Sequence, residues 1–159
     1  MEFVHRRWSA LTIDELYAVL ALRAEVFVVE QRCPYLDPDG GDPHASHLWI
    51  PGEDGRPLAY TRIFPPGARD DCAVLGRVVS APSVRGEGFG RTLVAEAVRR
   101  CEADFEGDIA LGAQKYLERF YASFGFARCG DDYLEDGIEH LPMRRLRRPN
   151  RVTLGGERR

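Results

Sequence analysis

Between residues 73 and 104 the chain passes from an apolar strand pattern, through a cluster of glycines, into an amphipathic helix pattern. That order restricts the fold more than any other feature of the sequence. The run Val74 to Ser80 has the composition of a buried strand, and Arg85, Gly86, Glu87, Gly88, Phe89 and Gly90 follow it. From Phe89 to Cys101 the apolar residues recur with helical period. Leu93, Val94, Ala97, Val98 and Cys101 share one face, while Arg91, Thr92, Glu96, Arg99 and Arg100 face away. A strand, a glycine turn and a helix start together receive anions. The first helical turn has unpaired N–H groups and a partial positive charge, and glycines let a phosphate approach the backbone. The expected ligand carries a pyrophosphate.

Spacing narrows the kind of phosphate loop. A nucleoside-triphosphate loop of the form G-x-x-x-x-G-K-[ST] needs a lysine, and the only lysine, Lys115, lies elsewhere. The dinucleotide fingerprint G-x-G-x-x-G fits Gly86 and Gly88 but meets Arg91 at its third place. What remains is Arg-x-x-Gly-x-Gly at Arg85, Gly88 and Gly90. Downstream, a short strand is expected at Ile109 to Ala113. A short helix is expected over Tyr116 to Phe126, closed by Gly125.

These motifs, in this order, resemble the GNAT acyltransferase superfamily. Arg85-x-x-Gly88-x-Gly90 is similar to its acetyl-CoA loop, and Tyr121-x-x-x-Gly125-Phe126 to the segment that follows the CoA-binding helix and one strand. Residues 20 to 40 resemble the ElaA-like branch: Arg23, Val26 to Gln31, Pro34-Tyr35 and Asp37-x-Asp39-Gly40. Gly112-Ala113-Gln114, Phe120-Tyr121 and Glu135 to His140 extend the likeness, which covers residues 1 to 146. The fold implied is the α/β (α+β) GNAT acyl-CoA N-acyltransferase fold, a mixed central sheet with splayed strands flanked by helices. The strand before the loop departs from the family at Ser80, where many relatives carry an apolar residue. The serine either bonds the pantetheine arm or ends the strand.

The remaining elements can be placed coarsely. Glu2 to Trp8 reads as a first strand. Thr12 and Glu15 have capping-box spacing ahead of a helix from Ile13 to Val29, with Leu16, Val19, Leu20 and Phe27 toward the core. Its end is open, because Val26 to Val29 is rich in β-branched residues. Gln31 to Ser46 is irregular. His47 to Ile50 and Leu58 to Phe64 read as a hairpin around Asp54-Gly55. Asp136-Gly137 is a hairpin signal joining Asp131–Glu135 to Glu139–Arg145.

Composition bounds the partners. With 159 residues, 44% hydrophobic and 30% charged, one globular domain is expected over residues 1–146, with a basic tail over 147–159. The tail carries +4 and the rest of the chain −7, within a net charge of −3. The acidic body points away from nucleic acid and toward a cationic substrate. No apolar run is long enough to span a membrane, and no signal peptide is evident, so a cytoplasmic, reduced protein is expected. Cys33, Cys72, Cys101 and Cys129 have no C-x-x-C spacing. Metal binding is not expected. Asp37-x-Asp39 opens like a calcium loop but has Leu48 at its twelfth place, and His44-x-x-His47 has no third ligand.

The resemblance implies direct transfer of an acetyl group from acetyl-CoA, the acyl-donor substrate, to a primary amine through a tetrahedral intermediate. Backbone N–H groups from Gly86 to Thr92 would hold the pyrophosphate, including those of Glu87, Gly88, Phe89 and Gly90, with charge from Arg85 and Arg91. The strand edge Val78, Val79 and Ser80 would pair with the pantetheine arm, and an N–H near Val79 would meet the oxyanion. Tyr121 is the candidate acid for the departing thiolate. Glu30 is the candidate base, as a carboxylate beside the apolar run Val26 to Val29. Glu139, His140 and His47 are secondary candidates. The acceptor is a small-molecule or peptide amine, expected near Glu30 to His47, and the last strands could pair in a homodimer. The alternatives are a non-catalytic acyl-CoA-binding module and an acyl-homoserine-lactone-synthase-like acyltransferase.

Overall fold

The computed structural model describes residues 1–148. Of the basic segment expected from residue 147 onward, only Arg147 and Arg148 fall within it. Eight strands form one mixed sheet: β1 (Val4–Arg7), β2 (Ser46–Pro51), β3 (Pro57–Phe64), β4 (Ala73–Ser80), β5 (Ile109–Gln114), β6 (Ala127–Arg128), β7 (Tyr133–Glu135) and β8 (Ile138–Arg145). The order across the sheet is β1-β2-β3-β4-β5-β8-β6, with β7 also on β8. All pairings are antiparallel except β4 with β5. The helices are α1 (Ile13–Arg23), α2 (Phe89–Asp104) and α3 (Glu118–Ala122).

Strand period assigns the two faces. Leu48, Ile50, Ala59, Ile63, Leu75 and Leu111 pack with α2 residues Leu93, Val94, Ala97, Val98 and Cys101. The alternate residues Trp49, Tyr60 and Val79 pack with Val19, Leu22 and Val26 of the first helical segment. Two apolar layers result, one on each side of the sheet. The α2 face expected from helical period is the face that is buried.

The first helix begins as expected and ends differently. Thr12 Oγ1 accepts from Glu15 N–H, and Thr12 N–H donates back to the Glu15 carboxylate, which completes the capping box. The expected helix to Val29 is α-helical only to Arg23. Ala24–Glu30 is π-helical, with wider i→i+5 bonds such as Gln31 N–H to the Val26 carbonyl at 3.1 Å. Val26, Val28 and Val29 lower the propensity of this segment for a regular α-turn. Leu16, Leu20 and Phe27 are half-buried rather than core, and Leu22 and Arg23 are buried instead.

Both expected hairpins form. Asp136 (φ 49°) and Gly137 (φ 78°) lie at positive φ, as a two-residue primed turn between β7 and β8 requires.

Candidate active site

The cleft originates where two parallel strands part. β4 and β5 pair at Ala73–Ile109, Val74–Ala110 and Leu75–Leu111. Beyond that point β4 stays with β3, while β5 stays with β8. A bulge drives β4 away. Arg62 faces Gly76 and Tyr60 faces Val79, so Arg77 and Val78 together oppose Thr61, and Arg77 adopts φ 51°. Such a bulge bends a strand and increases its twist. On the other lip, the Tyr133 hydroxyl occupies the space a Cβ on Gly112 would need. The gap is a cleft of about 860 Å³, the size of a small-ligand site.

At one end lies the glycine loop. Gly86 (φ 82°) and Gly88 (φ 88°) turn the chain into α2, and Gly88 is its N-cap. The first turn of α2 contains no acidic side chain. Its unpaired N–H groups, and their positive end of the helix dipole, therefore face the cleft without a competing carboxylate in that turn. At Gly90 a Cβ would stand 2.9 Å from Ser80 Oγ. The ending of β4 at Ser80 thus abuts the start of α2. Arg91 is steadied over the rings of Phe120 and Phe124 at 5.6 and 5.0 Å. Val78, Val79, Ser80, Arg85, Gly86, Gly88, Phe89, Gly90 and Arg91 all line the cleft. Glu87 and Thr92 are not part of that lining. The Thr92 N–H already donates to the Gly88 carbonyl at 3.0 Å, which removes it from the free donors of the turn.

Tyr121 stands on the β5 side. The Phe126 N–H bonds the Tyr121 carbonyl and the Gly125 N–H bonds the Ala122 carbonyl, with Gly125 at φ 86°. This is a Schellman termination, whose usual apolar contact is here Tyr121 against Phe126, ring centroids 6.2 Å apart. The Tyr-x-x-x-Gly-Phe spacing is thus the spacing of a helix stop that aims one tyrosine. Tyr121 is 5% exposed and lines the cleft, and burial pushes its hydroxyl pKa upward, so it keeps its proton.

Glu30 is not the isolated carboxylate the sequence led us to expect. It is partly exposed and accepts from Arg85 at 2.7 Å, so a guanidinium rather than apolar surface sets its environment. The widened π-helical turn carries it to the glycine loop.

The segment from Glu30 to His47, expected to lie near the acceptor, divides into a part that lines the cleft and a part that does not. Glu30, Gln31, Cys33 and Tyr35 line the cleft. Asp37, Asp39 and Asp42 instead serve four arginines. Arg23, wholly buried, binds Asp37 at 2.9 Å and Asp42 at 2.7 Å. Arg62 binds Asp39 at 2.6 Å and Asp42 at 2.9 Å, while Arg77 reaches Asp37 at 2.8 Å and Arg69 reaches Asp39 at 2.9 Å. Hydrogen bonds from Arg62 hold Asp39 well below the usual carboxylate range. Burial alone would raise Asp42, but Arg23 and Arg62 outweigh it and the net direction is down. His47 is structural. It bonds the Tyr60 hydroxyl at 2.7 Å and the Asp42 carbonyl at 3.0 Å, and burial lowers its pKa. The network pins residues 37–47 to the sheet, and the calcium-like aspartates are taken by guanidinium groups. Asp70, Asp71 and Cys72 cluster as metal ligands could, but Arg144 pairs with both carboxylates at 3.2 to 3.3 Å.

The far lip is built by the β7–β8 hairpin, with Tyr133, Glu135 and His140 facing the cleft. Gln31 and Gln114 exchange amide hydrogen bonds at 3.3 and 3.1 Å, and Cys33 Sγ donates to the Asp136 carbonyl at 3.1 Å. These bonds tie the π-helical segment to β5 and to the hairpin. Sequence reasoning did not single out Tyr133, Arg62 or Arg77. The available signal was charge within strand patterns: Arg62 interrupts the apolar run Leu58 to Phe64, and Arg77 the run Val74 to Ser80.

A model of the acetyltransferase (GNAT) domain matches residues 42–147. A UPF0039 protein of Schizosaccharomyces pombe is 38% identical over 146 residues, covering 91% of this chain and 96% of that protein. ElaA of Escherichia coli is 40% identical over 139 residues, covering 86% and 91%. Its crystal structure superposes with a TM-score of 0.84 over 91% of this chain and 98% of that one. An acyl-CoA N-acyltransferase from Pseudomonas aeruginosa, 40% identical, also gives 0.84, over 91% and 99%.

Proposed function

The chain belongs to the GNAT acetyltransferase family, in its ElaA-like branch, and from that premise we propose that it transfers an acetyl group from acetyl-CoA to a primary amine. The observation that carries this reading is the parting of β4 and β5 after Leu75 and Leu111. It leaves the β4 edge from Val78 to Ser80 open toward the cleft, with an anion-receiving helix start at one end and a buried phenol on the opposite wall.

In this reading the pyrophosphate rests on the N–H groups of the loop and first turn of α2, with Arg85 and Arg91 beside it. The amide-bearing pantetheine arm adds to β4 as a strand would. Its thioester then lies along the cleft, and a backbone N–H near Val79 donates to the oxyanion as the amine attacks. The C–N bond forms, the C–S bond breaks and the sulfur takes a proton from Tyr121. A thiol pKa of about 8.5 makes thiolate a fair leaving group, so this acid speeds the step rather than enabling it. Glu30 holds Arg85 at the mouth and is occupied there.

Incubation of the protein with acetyl-CoA and a panel of alkylamines, amino acids and peptides should release free CoA thiol with matching acetylated product. CoA binding without release above hydrolysis, across the whole panel, would mark a binding module instead. Activity with acylated carrier protein but not with acetyl-CoA would mark a homoserine-lactone-type acyltransferase. Tyr121→Phe should slow turnover about 100-fold, the low end of what a positioned acid contributes, with CoA affinity near that of the parent. Unchanged turnover removes Tyr121 from the reaction.

A further inference from the structure

We propose that His140 is the group that takes the proton of the attacking amine, an assignment that rests on the acetyl-transfer reading of the same cleft. Three observations meet at this residue.

The first is its tautomer. His140 Nδ1 lies 2.8 Å from the Ile138 carbonyl. A carbonyl only accepts, so in the neutral ring Nδ1 carries the hydrogen and Nε2 holds the lone pair. Nε2 has no hydrogen-bond partner among the described residues, is not fully buried, and belongs to a residue that lines the cleft. The backbone therefore presents an unoccupied imidazole base to the cavity.

The second is its orientation. The ring stacks on Tyr133, centroids 5.6 Å apart and planes 24° apart. Tyr133 in turn is seated over Gly112, one residue past the last β4–β5 pair. His140 pairs with Gln114 in β5 and with Tyr133 in β7, so strands on both sides fix its place. An imidazole on a loop would sample many positions, whereas this one is held by a carbonyl, a ring and two strand registers.

The third is the charge beside it. A carboxylate oxygen of Glu135 lies 3.7 Å from Nε2. That distance leaves the lone pair unbonded in the neutral ring and supplies an opposite charge once the ring is cationic. No guanidinium competes for this carboxylate among the described ion pairs. Glu30, by contrast, is already bound to Arg85.

The proton balance is simple. The neutral amine attacks the thioester carbon, its nitrogen becomes cationic as the C–N bond forms, and that N–H proton passes to Nε2. The C–S bond then breaks, the sulfur leaves with a proton from Tyr121, the imidazolium returns its proton to solvent, and the Tyr121 phenolate takes one back from solvent. Glu135 is a positioning residue, acting only through His140.

The test compares acceptors of different basicity with acetyl-CoA as donor. His140→Asn keeps an N–H where Nδ1 bonds the Ile138 carbonyl and removes the base. For an alkylamine that the parent acetylates, kcat/KM should fall about 100-fold. Hydroxylamine, whose nitrogen is a much stronger acid once it is cationic in the addition intermediate and so gives up its proton to water more readily, should lose less than about tenfold. CoA affinity and the thermal midpoint should stay near those of the parent. Glu135→Gln should give a smaller loss of the same pattern. If the parent acetylates an amine and His140→Asn matches it, or loses equally with both acceptors, the assignment to His140 is wrong while the acetyl-transfer reading stands. If the parent acetylates neither probe nor any amine of the panel, both readings fall together.

Discussion

Arg85 donates to the Glu30 carboxylate at 2.7 Å, joining the glycine loop to the end of the first helical segment across the mouth of the cleft. Both side chains are about 40% exposed, so the pair itself contributes on the order of 0–1 kcal/mol. A diphosphate offers the guanidinium a stronger, doubly charged partner. Arg85→Ala should therefore weaken CoA binding about tenfold and flatten its salt dependence. Glu30→Gln should leave affinity equal or up to about threefold tighter. Calorimetric titration with CoA at two ionic strengths measures both. Loss of affinity in Glu30→Gln would show that the carboxylate itself contributes to donor binding.

Two glycines of the loop are glycine for different reasons, and substitution separates them. Gly88 lies at φ 88° with no atom within 4 Å of a built Cβ, so alanine there meets strain, not a clash. The cost of left-handed backbone is about 1–2 kcal/mol. Gly90 has ordinary backbone, but its Cβ would stand 2.9 Å from Ser80 Oγ, an atom that can rotate away. Gly88→Ala should lower stability by about 1 kcal/mol and weaken CoA binding. Gly90→Ala should cost less than about half of that, and Gly90→Ala with Ser80→Ala should recover it. Urea unfolding of the single and double variants reads the difference.

Much of this site was legible because its motifs are local physics. Arg85 to Gly90 followed by an amphipathic run specifies a helix start. Tyr121-x-x-x-Gly125-Phe126 specifies a helix stop through two backbone bonds and one ring contact. The capping box at Thr12 and the turn at Asp136-Gly137 are local in the same sense. What escaped was set at long range. The bulge at Arg77 depends on register against β3, the seat of Tyr133 on a bare Gly112, and the bond of Glu30 on a residue 55 positions away. The switch to π-helix at Ala24 was signalled only as a doubtful helix end, since β-branched residues weaken a regular helix without specifying what replaces it.

The arginine–aspartate network predicts a sharp contrast between buried and exposed arginines. Arg23 is wholly buried between Asp37 and Asp42. Arg23→Leu leaves two carboxylates in a desolvated site with one arginine fewer, and breaking a buried pair costs about 3–5 kcal/mol. Asp37 and Asp42 retain Arg77 and Arg62, so about 3 kcal/mol is expected. Arg69 is 41% exposed and one of several partners of Asp39, so Arg69→Ala should change stability by less than about 1 kcal/mol. Chemical unfolding of the two variants checks the contrast, and equal losses would contradict it.

Acid should destabilise this protein in two stages, the first owed largely to His47. Burial lowers the folded-state pKa of His47, against an unfolded value of about 6.5. As pH falls through that value the unfolded chain takes a proton that the folded chain refuses, so stability drops with pH. His5, also lowered by burial and by Arg100, adds in the same direction. The second stage belongs to Asp39 and Asp42, whose folded pKa values are depressed. Their contribution is present above about pH 4, the unfolded carboxylate range, and is lost as pH falls further. His47→Gln should lower stability at neutral pH, because the bonds to Tyr60 and the Asp42 carbonyl are disturbed. It should also flatten the slope between about pH 7 and pH 5, while the steeper decline below about pH 4 persists. Unfolding free energies from urea titrations across that range give both slopes. A variant that keeps the parent's slope between pH 7 and pH 5 would show that the first stage arises elsewhere.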